Sequence, residues 1–240
     1  MLNNHKPFFT VEDASRVALE QYGLLVEAHT LPGERDYNFH LKIETGQEFV
    51  LKIAPAEEQR DVIDLQNKAL EHLAAHDPAL LLPHVRVTKE GKSIATFTNT
   101  GGTTHFVRIL SYIPGKVLAE TRLHTPELLN SLGSMMGKMD DALQDFTHTA
   151  AHRTLKWDLQ HTNWIHDYLQ YIDQPEHRAI IERFLAQFET QVIPLMPKLR
   201  MSVIHNDAND YNVLIGDTDQ GARRVVSVLD FGDMVYTYTI

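Results

Sequence analysis

The hydrophobic pattern of this chain changes along its length, from short alternating runs and two amphipathic stretches up to Tyr112 to helical spacing beyond Pro126. Thr10 can cap a helix over Val11 to Tyr22, with Glu12 and Asp13 in a first turn whose dipole favours anions. Leu24 to Thr30, Tyr37 to Glu44 and Glu48 to Ile53 predict three strands, turned at Pro32-Gly33 and Thr45-Gly46 into a small antiparallel meander. Val62, Leu65, Ala69, Leu70 and Leu73 give Glu57 to His76 a helical period, closed by Pro78 and Pro83. Val85 to Thr88 and Ile94 to Thr98 predict a hairpin around Glu90-Gly91-Lys92, and His105 to Tyr112 a further strand that Ile113-Pro114-Gly115 breaks at a hinge. Helices then dominate until Met201. Met201 to Ile204, Val213 to Gly216 and Val225 to Leu229 are short apolar runs read as strands, with Asp217 to Arg223 as the turn between the last two. The expected organisation is a strand-rich first lobe over residues 1–112 and a helical second lobe over residues 113–240.

Chemistry concentrates at the ends of those last strands. His205-Asn206-Asp207-Ala208-Asn209-Asp210-Tyr211-Asn212 is followed by Asp230-Phe231-Gly232-Asp233. This is the H-x-D-x-x-x-x-N then D-F-G order of a phosphoryl-transfer site, in which the first Asp accepts the proton of the attacking hydroxyl and the Asn and second Asp hold Mg²⁺. Those roles fall to Asp207, Asn212 and Asp230. An Asx-rich surface turn is the plain alternative for the octapeptide alone, because Asn and Asp bond their own backbone in turns. The second acidic motif at the end of the next apolar strand weighs against it. His205 reads as a scaffold for the loop, not as a base.

Phe49-Val50-Leu51-Lys52-Ile53 places one lysine in an apolar strand. Taken alone, Lys52 would lie on the solvent face with Leu51 and Ile53 inside; with the downstream motifs it becomes the lysine that reaches the nucleotide phosphates. Pro32 to Phe39 occupies the turn expected to cover those phosphates, with a single glycine and no G-x-G-x-x-G. The protein-kinase pattern pairs its lysine with a glutamate on the following helix, and the aligned position here is Gln66. A glutamine can orient a cation without neutralising it, so Glu57, Glu58, Asp61 and Asp64 remain open as partners for Lys52.

Composition changes this picture little. With 43% hydrophobic and 22% charged residues the 240-residue chain is an ordinary globular sequence. Zero cysteines exclude a disulfide framework and a thiolate metal site. The start Met1 to Lys6 lacks an apolar signal region, and no apolar run approaches the ~20 residues that span a bilayer, so a cytoplasmic location with no membrane partner is expected. A net charge of -10 argues against a nucleic-acid partner and is compatible with a cationic substrate, although maintaining solubility is its plainer reading. The fourteen histidines show no H-E-x-x-H spacing and give no zinc motif. Trp157 and Trp164 read as packing aromatics, and Asp158 is a weaker candidate for contact with a cationic substrate.

Lys52, the Leu110-Ser111-Tyr112-Ile113-Pro114-Gly115 hinge, Trp157-Asp158-Leu159, His205 to Asn212 and Asp230 to Asp233 together resemble the aminoglycoside phosphotransferase and choline kinase family. Within it the sequence is most similar to the hydroxylysine kinase type and to the phosphotransferase domains fused to class III aminotransferases, through Leu65-Gln66-Asn67 and Lys156-Trp157-Asp158-Leu159. The resemblance implies an α+β, bilobal protein-kinase-like fold with ATP or GTP and Mg²⁺ between the lobes and the adenine on hinge backbone near Leu110 and Tyr112. It implies transfer of the γ-phosphate to a hydroxyl of an amino alcohol, hydroxy amino acid or aminoglycoside. A protein kinase is disfavoured: Asn206 replaces the arginine of that pattern and no Ala-Pro-Glu segment follows Asp230. Only ten residues follow it, so the resemblance also implies a second lobe cut short, with exposed apolar surface for which homodimerisation is one remedy. A non-catalytic nucleotide-binding module, or a piece of a longer fusion, is the competing expectation.

Overall fold

The computed structural model describes residues 9–122, 124–217 and 223–239. Helix α1 spans Val11–Tyr22, and its start follows directly from sequence: the Thr10 hydroxyl accepts from Asp13 N at 3.2 Å while the Asp13 carboxylate accepts from Thr10 N at 3.1 Å, a reciprocal capping box. Gly23 ends the helix in the left-handed region at φ 68°, where a side chain would be strained.

Strands β1 (Val26–Leu31), β2 (Tyr37–Ile43) and β3 (Glu48–Ile53) form the expected antiparallel meander. Helix α2 (Arg60–His76) comes next, then β4 (Val85–Arg86), β5 (Ala95–Thr98) and β6 (Thr104–Ser111). The sheet order is β1-β2-β3-β6-β4, with β5 also on β6. The predicted hairpin of residues 85–98 is therefore corrected. Val85 pairs with Leu110 and Ala95 with Val107, so the two pieces lie one after the other along the same edge of β6, and the turn at Thr88 to Lys92 carries the chain between them.

Alternation along the strands divides the sheet into two faces. Phe39, Leu41, Leu51, Ile53, Val107 and Ile109 pack with Ala14, Val17 and Ala18 of α1 in one apolar cluster. The opposite face carries Asn38, Lys52 and Arg108, cross-strand partners in a single row.

In the second half, α3 (Pro126–Ala142) is capped by Thr125 and begins on a proline, where the missing N–H costs nothing. The helical region beyond it is broken: α4 (Ile165–Tyr168) is one turn, α5 (Pro175–Gln187) is longer, and Pro194 and Pro197 restrict Ile193–Lys198 to a 3-10 segment. Strand β7 (Lys116–Val117) pairs with β9 (Val213–Asp217), which pairs with β10 (Arg223–Val228). Most of the turn expected at Asp217 to Arg223 lies outside the described residues, as does the polar start Met1 to Lys6. Strand β8 (Met201–Ile204) pairs with β11 (Val235–Tyr238), an additional strand beyond those expected, although Val-Tyr-Thr-Tyr has strand composition. A second apolar cluster joins α2, α3, β8 and the segment after Asp230 through Leu65, Leu73, Met139, Leu143, Val203 and Phe231.

In the second half Leu159, Tyr171, Phe184 and Leu195 are exposed, as are Leu19, Leu25 and Leu81 in the first. Trp157 is 69% exposed and does not pack in a core, whereas Trp164 meets Tyr168 edge to face with ring centres 5.5 Å apart. Among the described residues no helix is long and apolar enough to cross a membrane.

Candidate active site

Lys52 stands in the middle of β3 but not in solvent. It is 8% exposed, and its ammonium lies 3.2 Å from Asp36 and 3.3 Å from Asp230. None of the four acids left open as its partner is used: Arg35 takes Glu58 at 2.8 Å, Asp64 meets His148 at 3.3 Å, and the partners are Asp36, from the loop before β2, and Asp230. Gly33 lets that loop close, because a Cβ there would sit 2.3 Å from the Asp36 carbonyl oxygen and 2.6 Å from Asn38 Nδ2.

Arg108, opposite Lys52 on β6, is a second buried cation. Its guanidinium donates to Asn67 Oδ1 at 2.7 Å and to Gln66 Oε1. Gln66 therefore orients Arg108 and not Lys52. Burial pushes the guanidinium pKa down, and Asp36 and Asp230 oppose that shift. Asp230 experiences the converse: burial raises its pKa, but Lys52 and Arg108 outweigh burial and hold it below the usual carboxylate range.

The loop after β8 is fixed by its own polar groups. Leu229 O is 2.9 Å from His205 Nε2, and Asp207 N–H donates to His205 Nδ1 at 3.2 Å. Only the neutral imidazole with its proton on Nε2 satisfies both. Asn212 Nδ2 donates to the Asp207 carbonyl and to Asp207 Oδ2, each at 2.9 Å, and Asn209 Nδ2 donates to Asp207 Oδ1 at 2.8 Å. Leu229 N–H closes on Asn212 O at 2.7 Å, which ties this loop to the residue before Asp230. Asn206 at φ 66° and Asp230 at φ 57° both occupy the left-handed region, tolerated by Asn and Asp and concentrated here.

Burial lowers the His205 pKa. The unfolded chain takes up this proton at about pH 6.5, whereas the folded chain takes it up only at lower pH, so acidification through the ordinary histidine range favours unfolding. Denaturation midpoints are expected to fall between about pH 7.5 and pH 5.5. The slope should flatten in His205→Gln; an unchanged slope would assign it to other histidines.

A sequence model of the "Phosphotransferase enzyme family" matches residues 29–240. The chain belongs to that family. Hydroxylysine kinase of Xenopus laevis is 31% identical over 260 residues, covering 100% of this chain and 69% of that protein. Two solved structures share the fold: a microcompartment-associated aminopropanol kinase (TM-score 0.73, 18% identity, 95% of this chain and 71% of that one) and an amicoumacin kinase in complex with AMP-PNP, Ca²⁺ and Ami (TM-score 0.68, 16% identity, 96% and 66%). This phosphotransferase chain thus spans about two-thirds of the length of its relatives.

The donor set of the phosphotransferase fits a hard divalent cation. Both side-chain hydrogen bonds of Asn212 leave from Nδ2, which turns its Oδ1 away from Asp207, and Lys52 and Gly232 N–H engage only Oδ1 of Asp230. Leu110 joins the apolar core, Ser111 N–H is taken by His84 O at 2.8 Å and Tyr112 N–H by Glu48 O at 3.1 Å, so a base meeting this segment finds those two amides engaged. Asp158 is 2% exposed and accepts from Thr237 Oγ1 at 2.7 Å and Gln160 N at 3.1 Å; it secures β11 from within. Asp233 lies nearer the site, 3.5 Å from Arg35, with burial raising its pKa.

Proposed function

We propose that this phosphotransferase moves the γ-phosphoryl group of ATP or GTP to the hydroxyl of a small hydroxy amino acid or amino alcohol, with hydroxylysine as the first candidate. The observation that carries this reading is the Asp207 carboxylate held by two amide donors, on a loop that Leu229 N–H to Asn212 O ties to the Lys52–Asp230 pair. Asp207 positions the acceptor hydroxyl and takes its proton. Lys52 offers its ammonium to phosphate oxygens, exchanging its present carboxylate partners for them. Asn212 and Asp230 would hold Mg²⁺, which when bound neutralises charge shared by the β- and γ-phosphates. Asp36, Asp230 and Asp233 already face Lys52 or Arg35, whereas the Asp207 side chain accepts only from neutral amides, so its charge is the one here that suits an acceptor bearing an ammonium group. The name of the Xenopus laevis relative supports hydroxylysine as that acceptor.

The test is product formation with ATP and with GTP, each with Mg²⁺, against hydroxylysine, an aminopropanol, ethanolamine and an aminoglycoside. Turnover is expected with hydroxylysine or an amino alcohol and not without Mg²⁺. Mg²⁺-dependent nucleotide binding without turnover on any acceptor would replace this reading with a non-catalytic nucleotide-binding module.

A further inference from the structure

Away from the cleft, α2 carries two histidines one turn apart, His72 and His76, about 9 and 15 Å further along the helix axis than Gln66. Their rings are nearly parallel, 29° apart with centres separated by 6.2 Å. Asp145, just beyond α3, completes a group whose ligand atoms all lie within 4.8 Å of one another. His72 Nε2 is 3.1 Å from Asp145 Oδ1 and also 2.8 Å from the carbonyl oxygen of Ala142. A single imidazole position thus faces a carboxylate and a carbonyl oxygen, with a second imidazole alongside.

The geometry points to a surface site for one divalent transition-metal ion of the zinc class, held by His72, His76 and Asp145 with Ala142 O as a fourth donor. Metal bonds of about 2.0–2.2 Å place neighbouring donor atoms on the order of 3 Å apart, which the His72 distances already match. Two imidazoles with one carboxylate are a borderline-soft set suited to Zn²⁺ and poor for Mg²⁺, which prefers oxygen. His76 and Asp145 are exposed, so water can fill the remaining positions. The sequence hides the site because its third ligand comes from the segment after α3, not from an H-E-x-x-H helix. An ion here would join the end of α2 to that segment beside Leu73, Ala142, Leu143 and Phe146, which already share an apolar cluster.

The test uses the untagged full chain, stripped with EDTA and kept in excess Mg²⁺ to occupy the oxygen-rich cleft, then titrated with Zn²⁺ by calorimetry and by thermal shift. One equivalent is expected to bind in the micromolar range and raise the melting temperature reversibly to EDTA. His76→Ala and Asp145→Asn, both at exposed positions, should each weaken binding by at least about tenfold, which is the cost of losing even an outer-shell partner. No saturable binding below millimolar Zn²⁺ would overturn the site and leave a histidine–aspartate ion pair. Unchanged affinity in both variants would also overturn it, placing the ion on other histidines.

Discussion

Asp207→Asn is expected to lower kcat by about 10²–10⁴-fold, the contribution of a positioned general base, while leaving nucleotide affinity essentially unchanged. The substituted amide keeps one acceptor oxygen. It can satisfy Asn212 or Asn209 but not both, since each now donates to a separate carboxylate oxygen. The loop should nonetheless hold, because Asn212 also donates to the backbone carbonyl of residue 207 and His205 receives its backbone N–H. Under the proposed roles, the change removes the proton acceptor. Asp230→Asn should behave differently: it removes a charge from beside Lys52, leaving Asp36 as that ammonium's carboxylate partner, and takes a charged oxygen from the metal donor set. Its loss should therefore appear first in Mg²⁺-dependent nucleotide affinity. Calorimetric Kd values beside kcat for the two variants separate the roles; equal loss of both functions in both would sink the assignment.

The contrast between these aspartates also marks where sequence is informative. The loop at Asp207 was legible because its hydrogen bonds are local: His205, Asp207, Asn209 and Asn212 contact one another within eight residues, so their spacing is their geometry. The meander and α1 were legible because turn and cap chemistry is written in consecutive residues. Cross-strand register is not written that way. Arg108 faces Lys52 because β3 pairs antiparallel with β6 across 56 residues of chain, and no local pattern separates it from a surface arginine on an alternating strand. Asp36 is hidden for a related reason, since a tight loop brings it to Lys52 while the kinase pattern points to acids on α2. The misread hairpin has the same origin: the two segments are more strongly specified by the shared edge of β6 than by their own connecting turn.

Arg108 ties the sheet to α2, and its loss should lower stability markedly. Its planar fork spans Asn67 Oδ1 and Gln66 Oε1, two amide oxygens on adjacent α2 residues, while Asn67 Nδ2 donates to Ser93 O at 3.3 Å and keeps that amide from turning. Asn67 is fully buried and Gln66 nearly so, so Arg108→Leu leaves two carbonyl groups without a donor at about 1–3 kcal/mol each. Part is recovered because leucine avoids the desolvation cost of a buried guanidinium. The net expectation is a loss of about 2–4 kcal/mol, or roughly 5–15 °C in melting temperature for a chain of this size. Arg108→Lys should recover only part of that: one ammonium restores the charge near Asp36 and Asp230 but lacks the fork that reaches both amides. Denaturant titration of the two variants beside the wild type decides the matter. A leucine variant within about 1 kcal/mol of wild type would show that apolar packing replaces the buried network at no net cost. If lysine proved as stable as arginine, charge and not the bidentate contact would be what anchors α2 to the sheet.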